Sequence, residues 1–303
     1  MDTQDALQTG QDDIDRGDVR SGDALFPGCD QGSRRVPIHA CRRPCDLEAA
    51  LCRGASRKEL GMPGAIVIQA RMGSSRSPGK ISHSLQGEPM LEYQIKRLQH
   101  AGLRSICVAT TDRDQDDITA QVAERTGVWC FRGSENDVMG RYLACADYFD
   151  IDPIIRVGGD DPLLDPEGIK FLVKRHGETM ADLVYASHPG GWIYGTAGEL
   201  VTRAALRRAA ESTSDPLDRE HVISFLKRSE GFSRVKAVPP SKSLIRPEIY
   251  LSVDYTEDLH LIEQILAHFT AVGRRYDFSQ DELIALYDSG KLEIRNTHLH
   301  DGF

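Results

Sequence analysis

The stretch Ala65-Ile-Val-Ile-Gln-Ala-Arg-Met-Gly-Ser-Ser-Arg-Ser-Pro-Gly-Lys80 begins as an apolar run and continues as a turn rich in small residues and cations. A buried strand that leads into such a turn lets backbone N–H groups point at an anion. Arg71, Arg76 and Lys80 add positive charge for several phosphate oxygens. The pattern favours a nucleoside triphosphate as ligand, although neither GxxxxGK[ST] nor GxGxxG is present. A basic surface loop after a strand is the alternative.

The composition of the chain limits its functional class. It has 303 residues, of which 40% are hydrophobic, enough for one large core or two small ones. A net charge of −9 argues against a broad basic face for nucleic acid. A mean hydropathy of −0.39, without a long apolar run, argues against a membrane span. The seven cysteines have no framework spacing, which indicates a reducing compartment, so we expect a cytoplasmic protein.

Residues 1–62 differ from the rest of the chain. They show no sustained helical or strand period and contain four of the seven cysteines. Cys41 and Cys45 have no matching pair at zinc-finger spacing, so a metal site is not expected there. We predict a disordered tail, or a spurious extension ahead of a true start at Met62. The predicted folded unit, a catalytic domain, covers residues 63–303.

Strands and helices alternate from residue 65 onward. This order predicts an α/β fold with a mostly parallel sheet covered on both faces. Ligands of such sheets bind beyond the carboxyl ends of the strands, where the strand order reverses. Strands are predicted over 65–69, 105–110, 128–131, 153–157, 182–186 and 249–253, and helices over 89–100, 114–126, 137–149, 166–176, 257–269 and 280–289.

Two predicted strands end in carboxylates. The segment Ile154-Ile-Arg-Val-Gly-Gly-Asp-Asp-Pro-Leu-Leu-Asp165 places Asp160 at a strand end, and Tyr250-Leu-Ser-Val-Asp254 repeats the pattern. Because adjacent acids repel, we expect at most one of Asp160 and Asp161 to bind a metal directly. Carboxylates from two strand ends suit Mg²⁺, which commonly takes one or two of them together with substrate phosphates. The alternatives are a solvated turn at Asp160 and a helix N-cap at Asp254.

Seven motifs, in order along the chain, resemble those of cytidylyltransferases of the spore-coat polysaccharide biosynthesis (SpsF) type. This family is related to the acylneuraminate and 3-deoxy-manno-octulosonate cytidylyltransferases. The resemblance covers about residues 64–270. The motifs are Gln69-Ala-Arg-Met-Gly-Ser-Ser-Arg-x-Pro-Gly-Lys80, Phe131-Arg-Gly-Ser134, Asp137-Val-Met-x-Arg-Tyr142, Arg156-x-x-Gly-Asp160-x-Pro-Leu164, Gly195-x3-Glu199, Asp218-Arg-Glu-His-Val222 and Ser252-Val-Asp-x-x-Glu-Asp-Leu259.

The resemblance implies a three-layer α/β/α fold like that of nucleotide-diphospho-sugar transferases. It also implies transfer of a cytidylyl group from CTP to an anionic acceptor, such as an acidic sugar, with release of pyrophosphate, in surface polysaccharide or glycoconjugate biosynthesis. Mg²⁺ is the implied cofactor, with Mn²⁺ as a substitute. The implied partners are CTP and a small-molecule acceptor, without nucleic acid or membrane, and a homodimer is a further option.

The same resemblance implies roles for individual residues. Arg71, Lys80 and Asp160 are the implied catalytic residues, and Asp160 and Asp254 the implied metal ligands. The nucleotide would contact Gln69, Ala70, Arg71, Gly73, Ser74, Arg76, Lys80, Arg132 and Asp137, and the acceptor Arg141, Glu199, Glu220 and His221.

Two other functional classes remain open at this point. A glycosyltransferase on the same scaffold would use an Asp-x-Asp metal motif and a nucleotide-sugar donor, and fold alone does not separate the two reactions. The cations of the first loop favour a triphosphate over a diphosphate. A non-catalytic nucleotide-binding protein would not need carboxylates at two strand ends. His221 is either a general base or, as we prefer, a residue that binds the acceptor.

Overall fold

We describe the fold from a computed structural model, which covers residues 62–73, 79–186 and 191–300. The expectations for residues 1–61, and for Ser74 and Arg76, lie outside this described part of the chain. Within it, no helix is both long and apolar enough to cross a bilayer.

A seven-stranded sheet forms the centre of the fold, with the strand order β5-β4-β1-β6-β8-β7-β9. Strand β1 pairs in parallel with β4 and β6. The pairs β4–β5 and β7–β9 are also parallel. Strand β8 runs antiparallel to its neighbours β6 and β7. Strands β2 and β3 form a separate hairpin. The strands are β1 (Ala65–Gln69), β2 (Ser84–Leu85), β3 (Glu88–Pro89), β4 (Ile106–Thr111), β5 (Trp129–Gly133), β6 (Ile154–Gly158), β7 (Leu183–Ala186), β8 (Glu199–Val201) and β9 (Arg234–Ala237).

Helices cover both faces of this sheet. Alternate residues of β1 point to opposite sides: Ile66 and Ile68 pack with α1, α2 and α4, while Ala65 and Val67 pack with α3 and α5. The predicted mostly parallel α/β fold with three layers is therefore confirmed. The helices are α1 (Met90–His100), α2 (Asp117–Thr126), α3 (Val138–Tyr148), α4 (Pro166–Thr179), α5 (Arg203–Ser212), α6 (Pro216–His221), α7 (Ser224–Arg228), α8 (Thr256–Ala271) and α9 (Gln280–Asp288).

Local sequence signals explain where several helices begin and end. Asp137 caps α3 by accepting a hydrogen bond from the Gly140 N–H, and Asp165 caps α4 from the position before Pro166. Helix α2 ends at Gly127, whose φ of 68° is a left-handed conformation that glycine adopts without strain. These boundaries match the predicted ones to within a few residues.

The predicted strand over 249–253 is wrong. Within the described residues this segment makes one isolated bridge, between Tyr194 and Tyr250, and joins no sheet. Its apolar side chains instead pack in a third cluster with those of α8 and α9, as Leu251 and Val253 illustrate. The apolar residues of this segment are therefore explained by their burial against α8 and α9.

The order of the strands creates a crevice. After β1 the chain builds β4 and β5 on one side, and then crosses to β6 on the other side of β1. The last residues of the two parallel strands, Gln69 and Gly158, lie in register. The loops that follow β1 and β6 therefore diverge above a shared edge, which is where such sheets bind ligands.

Gly195 is predicted to be essential for the wall of this crevice. It has a φ of +85°, and a Cβ there would lie 2.5 Å from the Ser252 nitrogen and 2.6 Å from the Leu251 carbonyl carbon. Gly195→Ala should lower the free energy of unfolding by about 2 kcal/mol or more, measured by chemical denaturation. The control is Gly177→Ala in α4, where a Cβ would meet no described atom within 4 Å. That variant should be unchanged or up to about 1 kcal/mol more stable. Equal stability of both variants would contradict the prediction.

Candidate active site

A cavity of about 660 Å³ opens at the carboxyl ends of β1 and β6. Its described wall brings together residues from the loop after β1, the end of β6, the strand β8, the helix α6 and the segment before α8. The predicted site residues on this wall are Gln69, Ala70, Arg71, Lys80, Asp160, Glu199, Glu220, His221 and Asp254.

The other described candidates lie off this wall. Arg132 donates to the carbonyls of Thr111 and Arg113 and pairs with Asp117. Asp137 caps α3 and pairs with Arg219, and Gly73 does not line the cavity. Their roles in nucleotide binding stay predictions.

Arg141 is also off the wall, although it was predicted to bind the acceptor. It is buried on α3 and donates to the carbonyl of Ser134. Its Nε and Nη2 have no hydrogen-bond partner in the described part of the chain. Its role in acceptor binding likewise stays a prediction.

Lys80 connects the two strand-end carboxylates. Its Nζ lies 2.6 Å from Asp160 Oδ2, 3.1 Å from Asp254 Oδ1 and 3.1 Å from the carbonyl oxygen of Val253. The three ammonium protons thus have three acceptors. Burial would lower the pKa of Lys80, but the two carboxylates outweigh this effect and raise the pKa above its ordinary value. Lys80 is therefore a fully charged, enclosed cation.

Two glycines allow Asp160 to reach this position. A Cβ on Gly158 would lie 2.2 Å from Asp160 Oδ1, and one on Gly159 would lie 3.0 Å from the carbonyl oxygen of Gln69. The Gly159 N–H donates to that carbonyl at 2.8 Å, which joins the β6 loop to the end of β1. The glycines of the motif are thus required for close packing.

Asp161, the neighbour of Asp160, differs from it in charge. Burial raises the pKa of the Asp161 carboxyl to about 8, and the charge of Asp160 adds to the shift. At neutral pH Asp161 is therefore mostly protonated. The expectation that at most one acid of the pair binds a metal directly stays a prediction.

The wall of the cavity also holds a second group of ion pairs. Arg156 on β6 lies 2.9 Å from Glu199, and Lys227 lies 3.9 Å from the same carboxylate. Arg71 and Glu220 form a looser, partly exposed pair at 3.8 Å. Sequence reasoning assigned no role to Arg156 or Lys227. Arg156 lies within one of the seven motifs, so the sequence contained a signal for its role. Lys227 lies in none of them.

Several buried polar atoms belong to residues that line the cavity. Within the described residues, Gln69 Oε1, Arg156 Nε and Trp192 Nε1 are buried without a hydrogen-bond partner, and all three residues line the cavity. Buried polar atoms cost free energy when they are unpaired.

The acids that could hold a metal are few. In residues 62–73, 79–186 and 191–300, no group of three or more His, Cys, Asp or Glu side chains is arranged to bind a metal ion. Asp160 and Asp254 form a pair of carboxylates, whose remaining ligands would have to come from a substrate or water.

Comparisons with known proteins show what this chain is similar to. A family model described as Cytidylyltransferase matches residues 65–284. The chain is 29% identical to the spore coat polysaccharide biosynthesis protein SpsF of Bacillus subtilis, over 73% of this chain and 92% of that protein. It is 27% identical to the 8-amino-3,8-dideoxy-manno-octulosonate cytidylyltransferase of Shewanella frigidimarina, over 68% of this chain and 86% of that protein.

Solved structures support the same fold. A cytidylyltransferase from Leptospira borgpetersenii superposes with a TM-score of 0.69 at 28% identity, covering 75% of this chain and 94% of that one. A CMP:2-keto-3-deoxy-manno-octonic acid synthetase superposes with a TM-score of 0.52 at 18% identity, covering 68% of this chain and 99% of that one. The second likeness bears on the fold alone.

The raised pKa of Asp161 predicts a pH-dependent stability. Between its ordinary value of 3.8 and about 8, the folded chain keeps a proton that the unfolded chain releases. The free energy of unfolding should therefore fall as the pH rises through this window. Asp161→Asn removes the group, so it should gain about 3 kcal/mol over the wild type between pH 5.5 and pH 8.5. Denaturation curves at both pH values measure this, and parallel changes in the two proteins would contradict it.

Proposed function

The chain belongs to the cytidylyltransferase family, and from this premise we propose that it transfers a cytidylyl group from CTP to an anionic small molecule and releases pyrophosphate. An acidic sugar of a surface polysaccharide or glycoconjugate is the proposed acceptor class, as the names of the relatives suggest. The observation that carries the proposal is the convergence of Asp160 and Asp254 on one cation position, in a cavity that Arg71 also lines.

The cations of the first loop suit a triphosphate. Arg71 and Lys80 line the same cavity and can form charge-assisted hydrogen bonds to the β- and γ-phosphates. The partner of Arg71, Glu220, is half exposed, so the ion pair between them is weak and costs little to break. Arg71 can therefore exchange a carboxylate for a phosphate oxygen.

The donor set also fits a divalent metal. Asp160 Oδ2 and Asp254 Oδ1 both contact the Lys80 ammonium, so these two oxygens already face a single cation. Two carboxylates completed by substrate phosphates are a set that Mg²⁺ commonly takes, and Mn²⁺ accepts the same oxygen ligands. When bound, such an ion neutralises charge on the phosphate oxygens and polarises the phosphoryl group.

The chain itself mainly orients the reactants. An acceptor oxygen attacks the α-phosphorus in line with the leaving pyrophosphate, and no covalent nucleophile is required of the protein. Arg71 would hold the departing phosphates. Glu199 and His221 line the same cavity, where they would bind the hydroxyl and anionic groups of the acceptor. His221 is assigned to binding.

The glycosyltransferase alternative is disfavoured. The family match and the relatives favour cytidylyl transfer.

Pyrophosphate release tests the proposal. With CTP, UTP, ATP and GTP supplied in turn with a panel of acidic sugars, phosphosugars and phosphonates, we expect release with CTP and at least one anionic acceptor. Arg71→Ala should lower that rate about 30- to 1000-fold, because one charge-assisted contact to a phosphate is lost in the transition state. Wild-type turnover in Arg71→Ala would remove this residue from the mechanism. Equal rates of pyrophosphate release with all four nucleotides would contradict the assignment of CTP as the substrate.

A double-mutant cycle tests the two carboxylates. Asp160→Asn and Asp254→Asn should each slow pyrophosphate release and raise the Mg²⁺ concentration needed for half-maximal rate. The double variant should lose much less than the product of the two losses, because one site cannot be destroyed twice. The matched control Asp161→Asn should be milder. An Asp161→Asn variant as damaged as Asp160→Asn, with Asp254→Asn silent, would favour the adjacent-acid alternative.

A further inference from the structure

Lys80 occupies the point where the two carboxylates of the site converge. Its ammonium contacts one oxygen of Asp160 at 2.6 Å and one of Asp254 at 3.1 Å, and Lys80 and Asp254 are both buried. A Mg²⁺ ion would bind such oxygens at 2.0–2.1 Å. Ammonium and metal are both cations and would use the same two oxygens, so they cannot bind there together.

We infer that Lys80 is an internal counter-ion that closes the metal site until a triphosphate takes over its ammonium. This inference rests on the proposed function for the identity of the two ligands. In the ligand-free protein the ammonium neutralises two carboxylates that would otherwise repel each other in a partly buried place. A free divalent ion would have to expel a buried ammonium from its two carboxylates, whereas a bound triphosphate offers the ammonium new oxygens.

The rest of the site is built so that only the lysine side chain has to move. Lys80 lies in a 3-10 turn (Lys80–Ser82) whose backbone is fixed by hydrogen bonds from Ser82 N–H to the Gly79 carbonyl and from His83 N–H to the Lys80 carbonyl. The four-carbon stem of lysine carries a mobile point charge. Rotation of this stem moves the ammonium without a change of the backbone.

The carboxylates keep their positions when the ammonium leaves. The second oxygen of Asp254 accepts a hydrogen bond from the Tyr250 hydroxyl at 2.9 Å, so this side chain has an anchor of its own. The Val253 N–H donates to the Asp160 carbonyl at 2.8 Å, which ties together the two segments that carry the acids. Departure of Lys80 therefore leaves two oriented anions facing one vacated point.

The consequence is coupling between metal and nucleotide. Whatever draws Lys80 away from the carboxylates raises the affinity of the site for a divalent cation, and the metal in turn favours the state in which Lys80 is free to bind phosphate. Metal binding to the protein without nucleotide should therefore be weak, although two carboxylates are present.

Mn²⁺ titration without nucleotide, followed by electron paramagnetic resonance and calorimetry, tests this inference. Lys80→Met should bind Mn²⁺ at least about 10-fold more tightly than the wild type, because one competing charge-assisted contact is gone. Asp160→Asn added to Lys80→Met should abolish the gain. The matched control is Arg71→Met, which removes one charge from the same cavity but from a side chain paired with Glu220. It should bind Mn²⁺ like the wild type.

The outcomes separate this inference from the proposed function. If Arg71→Met gains as much Mn²⁺ affinity as Lys80→Met, the effect is one of general charge and the inference is overturned. Unchanged Mn²⁺ affinity in Lys80→Met would also overturn it. Lys80→Gln is the second variant if Lys80→Met does not fold. The wild type and Asp160→Asn provide a second test of the counter-ion role. If the wild type binds Mn²⁺ tightly without nucleotide and Asp160→Asn does not, the counter-ion role is overturned and cytidylyl transfer is unaffected. Tighter Mn²⁺ binding in Lys80→Met, together with no CTP turnover in the wild type, would support the counter-ion role and contradict cytidylyl transfer.

Discussion

The ion triad of Lys80, Asp160 and Asp254 is the constraint on which the site depends. Its members come from the turn after β1, from the end of β6 and from the segment that leads into α8. Strand order brings the first two together, because β1 and β6 are parallel neighbours whose ends lie in register. The third arrives through the bridge between Tyr194 and Tyr250. Gly158, Gly159 and Gly195 are needed because backbone or carboxylate atoms occupy the space of a Cβ at each of them.

Much of the fold was predictable from sequence because local signals agreed with the global arrangement. β1 is a short apolar run, and α2 ends at a glycine in the left-handed conformation. The prediction missed β8, β9, α5, α6 and α7. β8 has three residues and α6 has six, too few for a period to show. Helix α5 has ten residues and was missed although its length allows a period. The run over 249–253 satisfies every local criterion for a strand, but only packing against α8 and α9 reveals that it has no place in the sheet.

The site was predictable as a set of residues but not as a set of contacts. From three separate motifs, the sequence analysis assigned Lys80 to phosphate binding and Asp160 and Asp254 to metal binding. The structure pairs the lysine with both acids, because all three side chains end at one point of the crevice. Lys227 could not be found in the same way. It belongs to no motif, and its approach to Glu199 depends on the path of β8 and α7, elements that were not predicted.

A crystal structure with CTP and Mn²⁺ bound tests the central claim most directly, since anomalous scattering locates the metal independently of the protein atoms. The account predicts the Mn²⁺ peak between the carboxylates of Asp160 and Asp254, and the Lys80 ammonium moved onto the triphosphate. A Lys80 that still bridges both carboxylates, with nucleotide and metal bound elsewhere in the cavity, would contradict it.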